Sequence, residues 1–134
     1  MIDGRTRRLV RQRAGARCEY CRLRQSHDAF HPFQIEHIVA RQHRGEDDPA
    51  NLALACHSCN SHKGTNLSGR DPDTNEMVRL FHPRTDAWAG HFALEGPLVV
   101  GKSAIGRTTA WLLRMNSPRR VELRRVLNDL GELD

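Results

Sequence analysis

Two short stretches, Cys18-Glu-Tyr-Cys21 and Cys56-His-Ser-Cys59, contain all four cysteines of this 134-residue sequence. Two thiols on one tight turn can bind the same metal ion, and four thiolates form the closed tetrahedral shell of a structural Zn²⁺ site. The alternatives are a redox C-x-x-C pair or four unrelated buried thiols, but a thioredoxin-like site needs one such pair rather than two. The sequence therefore predicts a structural zinc ion bound by Cys18, Cys21, Cys56 and Cys59.

A predicted β-hairpin lies between the two cysteine pairs. Residues 33–38 alternate apolar and polar side chains, which is the period of a β-strand, and residues 52–55 form a second, apolar strand. Residues 40–51 are polar and contain a glycine and a proline, which predicts a long connecting loop. The zinc ion would hold this hairpin against a helix that starts near Asn60.

Further elements are predicted on either side of this region. A basic helix is expected over residues 5–14, and residues 69–75 have the composition of a linker or exposed loop. Residues 91–101 suggest a second hairpin. Two helices are expected over residues 107–115 and 118–130, the second with a serine N-cap followed by proline at its first position.

These elements predict an α+β fold in three parts. They are a basic N-terminal helix (1–17), a treble-clef-like ββα finger (18–66), and an extension made of a β-hairpin and two helices (67–134). Hydrophobic residues make up only 38% of the chain and the mean hydropathy is -0.65, so the core is modest and a bound metal would add needed stability.

The basic charge is concentrated at the start of the chain. The net charge is +5 and the pI is about 9.6, and residues 1–25 carry eight arginines against Asp3 and Glu19. Such a basic arm is typical of proteins that approach a polyanion, although a solvated charged helix has the same composition. The candidate phosphate contacts are Arg5, Arg8, Arg11 and Lys63.

The longest apolar stretches fall far short of the roughly 20 residues that span a bilayer. The basic start is not followed by the apolar segment and small-residue cleavage site of a secretory signal. We therefore expect no membrane association and a cytoplasmic location.

Four residue positions could supply the chemistry that phosphodiester hydrolysis needs: Glu36 and His37 on the predicted strand, Asn51 at the end of the loop, and Asn60 directly after the last cysteine. Such a reaction requires a base for the attacking water and positive charge for the transition state. The His37 imidazole can accept a proton near neutral pH. With the zinc ion holding strand and helix together, Glu36 and Asn60 can offer oxygen ligands to a hard cation such as Mg²⁺ or Mn²⁺.

The motifs Glu36-His37-Ile38, Asn51-Leu52 and Cys56-x-x-Cys59-Asn60-x-x-Lys63 resemble the signature of HNH endonucleases, over residues 18–64. The resemblance implies a ββα-metal finger that cleaves DNA to 5′-phosphate and 3′-hydroxyl ends. It implies that His37 is the general base, that Glu36 and Asn60 bind the catalytic metal, and that Asn51 fixes the loop and orients the base.

The sequence departs from this signature at two positions. Glu36 stands where aspartate is commoner, which can shift the position or the preference of the metal, and Ala40 stands where many members have proline. Neither change removes a required chemical group. The remaining histidines are not assigned to the site: His57 and His62 lie beside it, His43 is expected in solvent, and His82 and His91 are expected to be structural. The chain after the finger also resembles the C-terminal extension of some small stand-alone bacterial HNH proteins.

The expected partner is double-stranded DNA. A dimer or two sequential nicks would be needed to cut both strands with one site. Two alternatives stay open on the sequence: a non-catalytic zinc module that binds DNA or protein, and a ribonuclease.

Overall fold

The computed structural model describes residues 2–134 and shows an α+β protein in which contacts cluster into two units. The first unit comprises residues up to 67 together with residues 82–86, and the second comprises residues 68–81 and 87–134. The segment 82–86 therefore groups with the first unit, although it follows residues of the second unit in the chain.

Helix α1 (Gly4–Ala14) opens the first unit and agrees with the predicted basic helix. The Asp3 carboxylate caps it by accepting a hydrogen bond from the Thr6 N–H at 2.8 Å. Gly15 ends it with a left-handed φ of 64°, a backbone conformation that glycine adopts without steric cost. Val10 is its buried residue, and the arginines lie on its polar faces.

Strands β1 (Gln34–His37) and β2 (Leu52–Ala55) form the predicted antiparallel hairpin. Gln34 pairs with Ala55 and His37 pairs with Leu52. All four residues of β2 are buried, because its free edge is also covered. Glu19 covers this edge: its N–H donates to the Leu54 carbonyl, and its carboxylate accepts from the Leu54 N–H, both at 2.8 Å.

Helix α2 (His57–Lys63) begins three residues before the predicted start near Asn60. Its N-cap is Cys56, whose Sγ accepts a hydrogen bond from the Cys59 N–H at 3.4 Å. The second cysteine turn is therefore also the first turn of the helix. Asn60 lies inside α2 and is not its cap.

The second unit begins with a hairpin where a linker or an exposed loop was predicted. Strands β3 (Ser68–Arg70) and β4 (Met77–Arg79) pair around the turn at residues 71–76. The Asp71 carboxylate organises this turn by accepting bonds from the Asp73 N–H and the Thr74 hydroxyl. The prediction recognised the turn residues and missed the two three-residue strands beside them.

The rest of this unit follows the sequence more closely. After the short helix α3 (Trp88–His91), strands β5 (Phe92–Glu95) and β6 (Leu98–Gly101) form the predicted second hairpin. Helix α4 (Ala104–Leu112) starts three residues earlier than predicted because the Ser103 hydroxyl caps it, and helix α5 (Pro118–Asp129) starts at the predicted proline.

The core of the second unit is mostly apolar. Its fully or nearly fully buried residues include Phe81, Phe92, Val99, Leu113 and Met115. The Phe81 and Phe92 rings meet edge to face, with their centroids 5.2 Å apart. In residues 2–134, no helix combines the length and the apolar character that a membrane crossing requires.

Candidate active site and zinc centre

The four cysteine sulfurs converge at the base of the β1–β2 hairpin. All four residues are buried and their sulfur atoms lie within 4.8 Å of one another. The Sγ atoms of Cys21 and Cys56 are 3.7 Å apart. Sulfurs at 2.3 Å from a tetrahedral zinc ion would be about 3.8 Å apart, so this cluster has the size and the donor set of a Zn²⁺ site.

Local hydrogen bonds shape each cysteine turn. The Cys21 N–H donates to the Cys18 Sγ at 3.5 Å, and the Cys59 N–H donates to the Cys56 Sγ in the same way. Burial raises the pKa of the Cys18 and Cys59 thiols well above their ordinary value, so a cation is needed to hold them as thiolates. Four protein ligands leave no open position, which gives a bound zinc ion a structural role.

Glu36 lies in a buried hydrogen-bond network rather than at an open surface. Its Oε1 is 2.6 Å from the Lys63 Nζ, and its Oε2 accepts a bond from the Tyr20 hydroxyl at 2.8 Å. Only 5% of Glu36 and 2% of Lys63 are exposed. Burial raises the pKa of Glu36 above its ordinary value, and Lys63 is the strongest of the groups that oppose this rise. Burial also raises the pKa of the Tyr20 hydroxyl well above its usual range, so that this group stays a donor.

Lys63 does not reach solvent. Its ammonium group also donates to the Ile38 carbonyl at 2.9 Å and approaches the His37 carbonyl at 3.4 Å. The structure thus places Lys63 among carboxylate and carbonyl partners and away from the surface, and its contact with a phosphate stays a prediction that this geometry does not support.

Asn60 and Glu36 bind different partners. The Asn60 side-chain NH₂ group donates to the Gln34 side-chain Oε1, and Gln34 lies two residues before Glu36 in β1. The two predicted metal ligands thus both lie where α2 packs on β1, but Asn60 binds Gln34 and Glu36 binds Lys63. In this geometry they do not form an open pocket for a divalent cation, since an ammonium group already neutralises the Glu36 carboxylate.

His37 ends β1 and faces the connecting loop. Its Nε2 is 2.7 Å from the Asp47 Oδ1, and 19% of its side chain is exposed. The Arg41 guanidinium holds the same Asp47 carboxylate from the other side, with its Nη2 2.9 Å from Oδ1 and 3.0 Å from Oδ2. Sequence reasoning missed Asp47, because nothing in the run Glu46-Asp47-Asp48 distinguishes one carboxylate from the others.

Asn51 ties the two ends of the loop together. Its Oδ1 accepts from the Val39 N–H at 2.8 Å, and its Nδ2 donates to the Val39 carbonyl at 3.0 Å and to the Glu46 carbonyl at 2.8 Å. The backbone adds a bond from the Ile38 N–H to the Asn51 carbonyl. Asn51 therefore binds the backbone on both sides of the loop that carries Asp47.

A basic cleft of about 540 Å³ opens beside Asn60. The His31 and His57 rings stack across part of it, with centroids 4.7 Å apart. Its polar lining consists of Arg7, Arg11, His31, Gln34, His57 and Asn60. Arg11 also donates to the Phe33 carbonyl at 3.0 Å, whereas Arg5 and Arg8 are exposed on α1.

Residues 18–66 match the sequence profile of the family described as HNH endonuclease. This segment is similar to HNH endonucleases. The HNH segment contains the complete cysteine cluster, the β1–β2 hairpin and helix α2.

Similarity to a curated protein extends beyond the HNH segment. The chain is 26% identical over 113 residues to the Septu protein PtuB of Bacillus thuringiensis, an alignment that covers 83% of this chain and 41% of PtuB. The chain thus spans about two fifths of the length of this relative. No solved structure matches the chain significantly.

Proposed function

We propose that this protein is a nuclease that hydrolyses phosphodiester bonds in double-stranded DNA, with His37 as the general base. The observation that carries the proposal is the His37–Asp47 contact in a loop fixed by Asn51, within a segment that matches HNH endonucleases. The His37 Nε2 is hydrogen-bonded to the Asp47 carboxylate. The other ring nitrogen, Nδ1, would then accept the proton of the attacking water.

The cofactor favoured by the HNH match is a divalent ion, Mg²⁺ or Mn²⁺, in addition to structural zinc. Asn60 is partly exposed and can reach such an ion. Glu36 can reach it only if Lys63 releases the carboxylate, so its assignment as a ligand depends on a rearrangement of the buried network. Resemblance to the family further suggests cleavage to 5′-phosphate and 3′-hydroxyl ends.

The basic cleft and helix α1 are the surfaces that we assign to the DNA backbone. Arg7 lines the cleft, while Arg5 and Arg8 extend the positive charge along α1. Each lost phosphate contact should weaken binding to all sequences alike and lower the salt dependence of log K by about one. Binding of R7Q and R8Q measured over a salt series tests this assignment.

The decisive experiment is cleavage of supercoiled plasmid with Mg²⁺, with Mn²⁺ and after EDTA, comparing the parent with H37A. A matched control is H43A, since His43 lies in the same loop with its side chain exposed. Loss of a general base should slow nicking by roughly 10²–10⁴-fold, whereas H43A should nick as the parent does. Zinc content measured on each variant separates loss of chemistry from loss of folding.

Two results would contradict the proposal. The first is absence of nicking with every divalent ion, and the second is an H37A variant that nicks like the parent. Cleavage of single-stranded RNA in preference to duplex DNA would identify a ribonuclease instead.

A non-catalytic DNA-binding zinc module is the second candidate. The observation that favours it is the burial of Glu36 against Lys63, which closes one predicted ligand of the catalytic metal. A protein that binds DNA with zinc bound, but never nicks it, would support this alternative.

A further inference from the structure

The Asp47 carboxylate links His37 to Arg41 across the connecting loop. Asp47 lies ten positions after His37 in the chain, yet its Oδ1 is 2.7 Å from the His37 Nε2. Arg41 donates to both carboxylate oxygens through Nη2 and to Oδ1 through Nε at 3.1 Å. The three side chains form a continuous row, with the carboxylate between imidazole and guanidinium.

The charge state of Asp47 fixes the direction of the hydrogen bond to the imidazole. Hydrogen bonds from His37 and then Arg41 hold the pKa of Asp47 well below its ordinary value, so the carboxylate is ionised at neutral pH. An ionised carboxylate only accepts hydrogen bonds. His37 must then carry a hydrogen on Nε2, and in the neutral ring the lone pair is on Nδ1.

The loop is closed tightly enough to make this contact a fixed feature. A Cβ built on Gly45 would lie 1.6 Å from the Val39 carbonyl oxygen and 2.9 Å from the Asn51 Nδ2. Arg44, just before it, has a left-handed φ of 71°. These constraints and the Asn51 hydrogen bonds fix the path of the loop. On this path Asp47, rather than Glu46 or Asp48, lies against the His37 ring.

We propose that Asp47 is the positioning residue for the general base: it holds the His37 ring in the Nε2–H tautomer with Nδ1 facing the reaction, and Arg41 holds Asp47. The inference rests on the proposed function for its catalytic consequence. The tautomer of His37 is a property of the folded protein and can be measured without substrate.

The test compares D47N with E46Q in the full chain. Both substitutions remove one carboxylate from the same loop. The Glu46 side chain is exposed, and the hydrogen bond from Asn51 is accepted by the Glu46 backbone carbonyl, so E46Q leaves that bond in place. In D47N the amide can donate to Nε2, which favours the opposite tautomer, with hydrogen on Nδ1. We expect ¹⁵N shifts of the His37 ring to report Nε2–H in the parent and in E46Q, and a shift toward Nδ1–H in D47N.

The same variants make a kinetic prediction. Mutation of the outer hydrogen-bond partner of a metal-binding histidine typically costs 10–100-fold in activity, and we expect the same scale for the partner of a general base. D47N should therefore lower kcat by roughly 10–100-fold with KM nearly unchanged, while E46Q keeps both. R41Q should give a smaller loss, since it leaves the carboxylate in place.

Three outcomes would overturn the proposal: an Nδ1–H ring in the parent, a D47N ring with the parent tautomer, or a D47N defect confined to KM. An unfolding midpoint for D47N close to that of E46Q shows that the loop is intact. If the parent itself fails to nick DNA, the proposed function falls, and the tautomer measurement alone decides the role of Asp47.

Discussion

The two units of the molecule are stabilised by different kinds of interaction. The interior of the first unit combines apolar side chains with four cysteine sulfurs and with the Glu36 carboxylate between Lys63 and Tyr20. The interior of the second unit combines apolar packing with the buried polar residues Asp71, Thr108, Thr109 and Arg124, and this unit contains no cysteine. A four-ligand metal site fixes the positions of its ligands more narrowly than apolar packing does, which suits the unit that contains the candidate active site.

Removal of zinc should have the largest effect and should separate the two units. Structural Zn²⁺ contributes on the order of 10 kcal/mol in small fingers, so a strong chelator or C59S should unfold the first unit. Both tryptophans, Trp88 and Trp111, lie in the second unit. We expect NMR signals of the first unit to collapse while tryptophan emission stays native.

The control for this experiment is zinc added back after chelation, which should restore the first unit. Simultaneous loss of native tryptophan emission would contradict the comparison, because it would make the second unit dependent on the metal.

Breaking the buried ion pair should have the next largest effect. K63M leaves the Glu36 carboxylate buried without its cation, which typically costs about 3–5 kcal/mol, whereas the double variant E36L/K63M removes both charges and should recover much of the loss. Denaturant unfolding followed by far-UV circular dichroism measures the difference. Equal destabilisation by the single and double variants would show that the charges themselves are not the cause.

The metal requirement of E36Q tests whether Glu36 belongs only to the buried network or also binds the catalytic ion. If Glu36 is only part of the buried network, the Mn²⁺ concentration for half-maximal nicking should stay at the parent value in E36Q. A large increase in that concentration, with folding intact, would show that Glu36 binds the catalytic ion in the working state.

Acid should weaken the second unit through Asp71. The Arg107 guanidinium beside it lowers the pKa of this carboxyl from 3.8 to about 2. Because the folded-state pKa is the lower one, the stabilisation is present above about pH 4 and is lost as the pH falls toward 2. Unfolding midpoints from tryptophan emission should show this loss in the parent, and D71N should lack this component of the pH dependence.

The smallest effect is expected at the start of α4. The Ser103 hydroxyl accepts from the Gly106 N–H at 3.0 Å and also lies 2.7 Å from the His91 Nδ1. S103A should destabilise the second unit by about 1 kcal/mol, as loss of an N-cap usually does, and S103D should restore part of it. A change in plasmid nicking in S103A would be unexpected.

The sequence was informative where local chemistry determines the structure. Cysteine spacing predicted the sulfur cluster, and alternation with turn residues predicted the β1–β2 and β5–β6 hairpins. Local chemistry also accounts for two errors. The start of α2 moved because a cysteine sulfur serves as its cap, and β3 and β4 are too short for their period to be visible.

Residues whose roles depend on tertiary packing could not be assigned in this way. Lys63 has the charge of a phosphate ligand, but the packing of α2 on β1 buries it against Glu36. Asp47 is one of three consecutive acidic residues, and only the closure of the loop selects it as the partner of His37. The roles of Glu36, His37, Asn51 and Asn60 in catalysis remain predictions that the experiments above can decide.

The segment 82–86 has a consequence for dissecting the protein. Arg84 in this segment pairs with Glu19, whose backbone and carboxylate cover the edge of β2. The finger is therefore discontinuous in the chain, with residues 68–81 inserted before its last piece. A gene fragment that stops after residue 66 would keep Glu19 but lose its Arg84 partner, which weakens the cover of the β2 edge, so an isolated finger should carry residues 82–86 on a short linker.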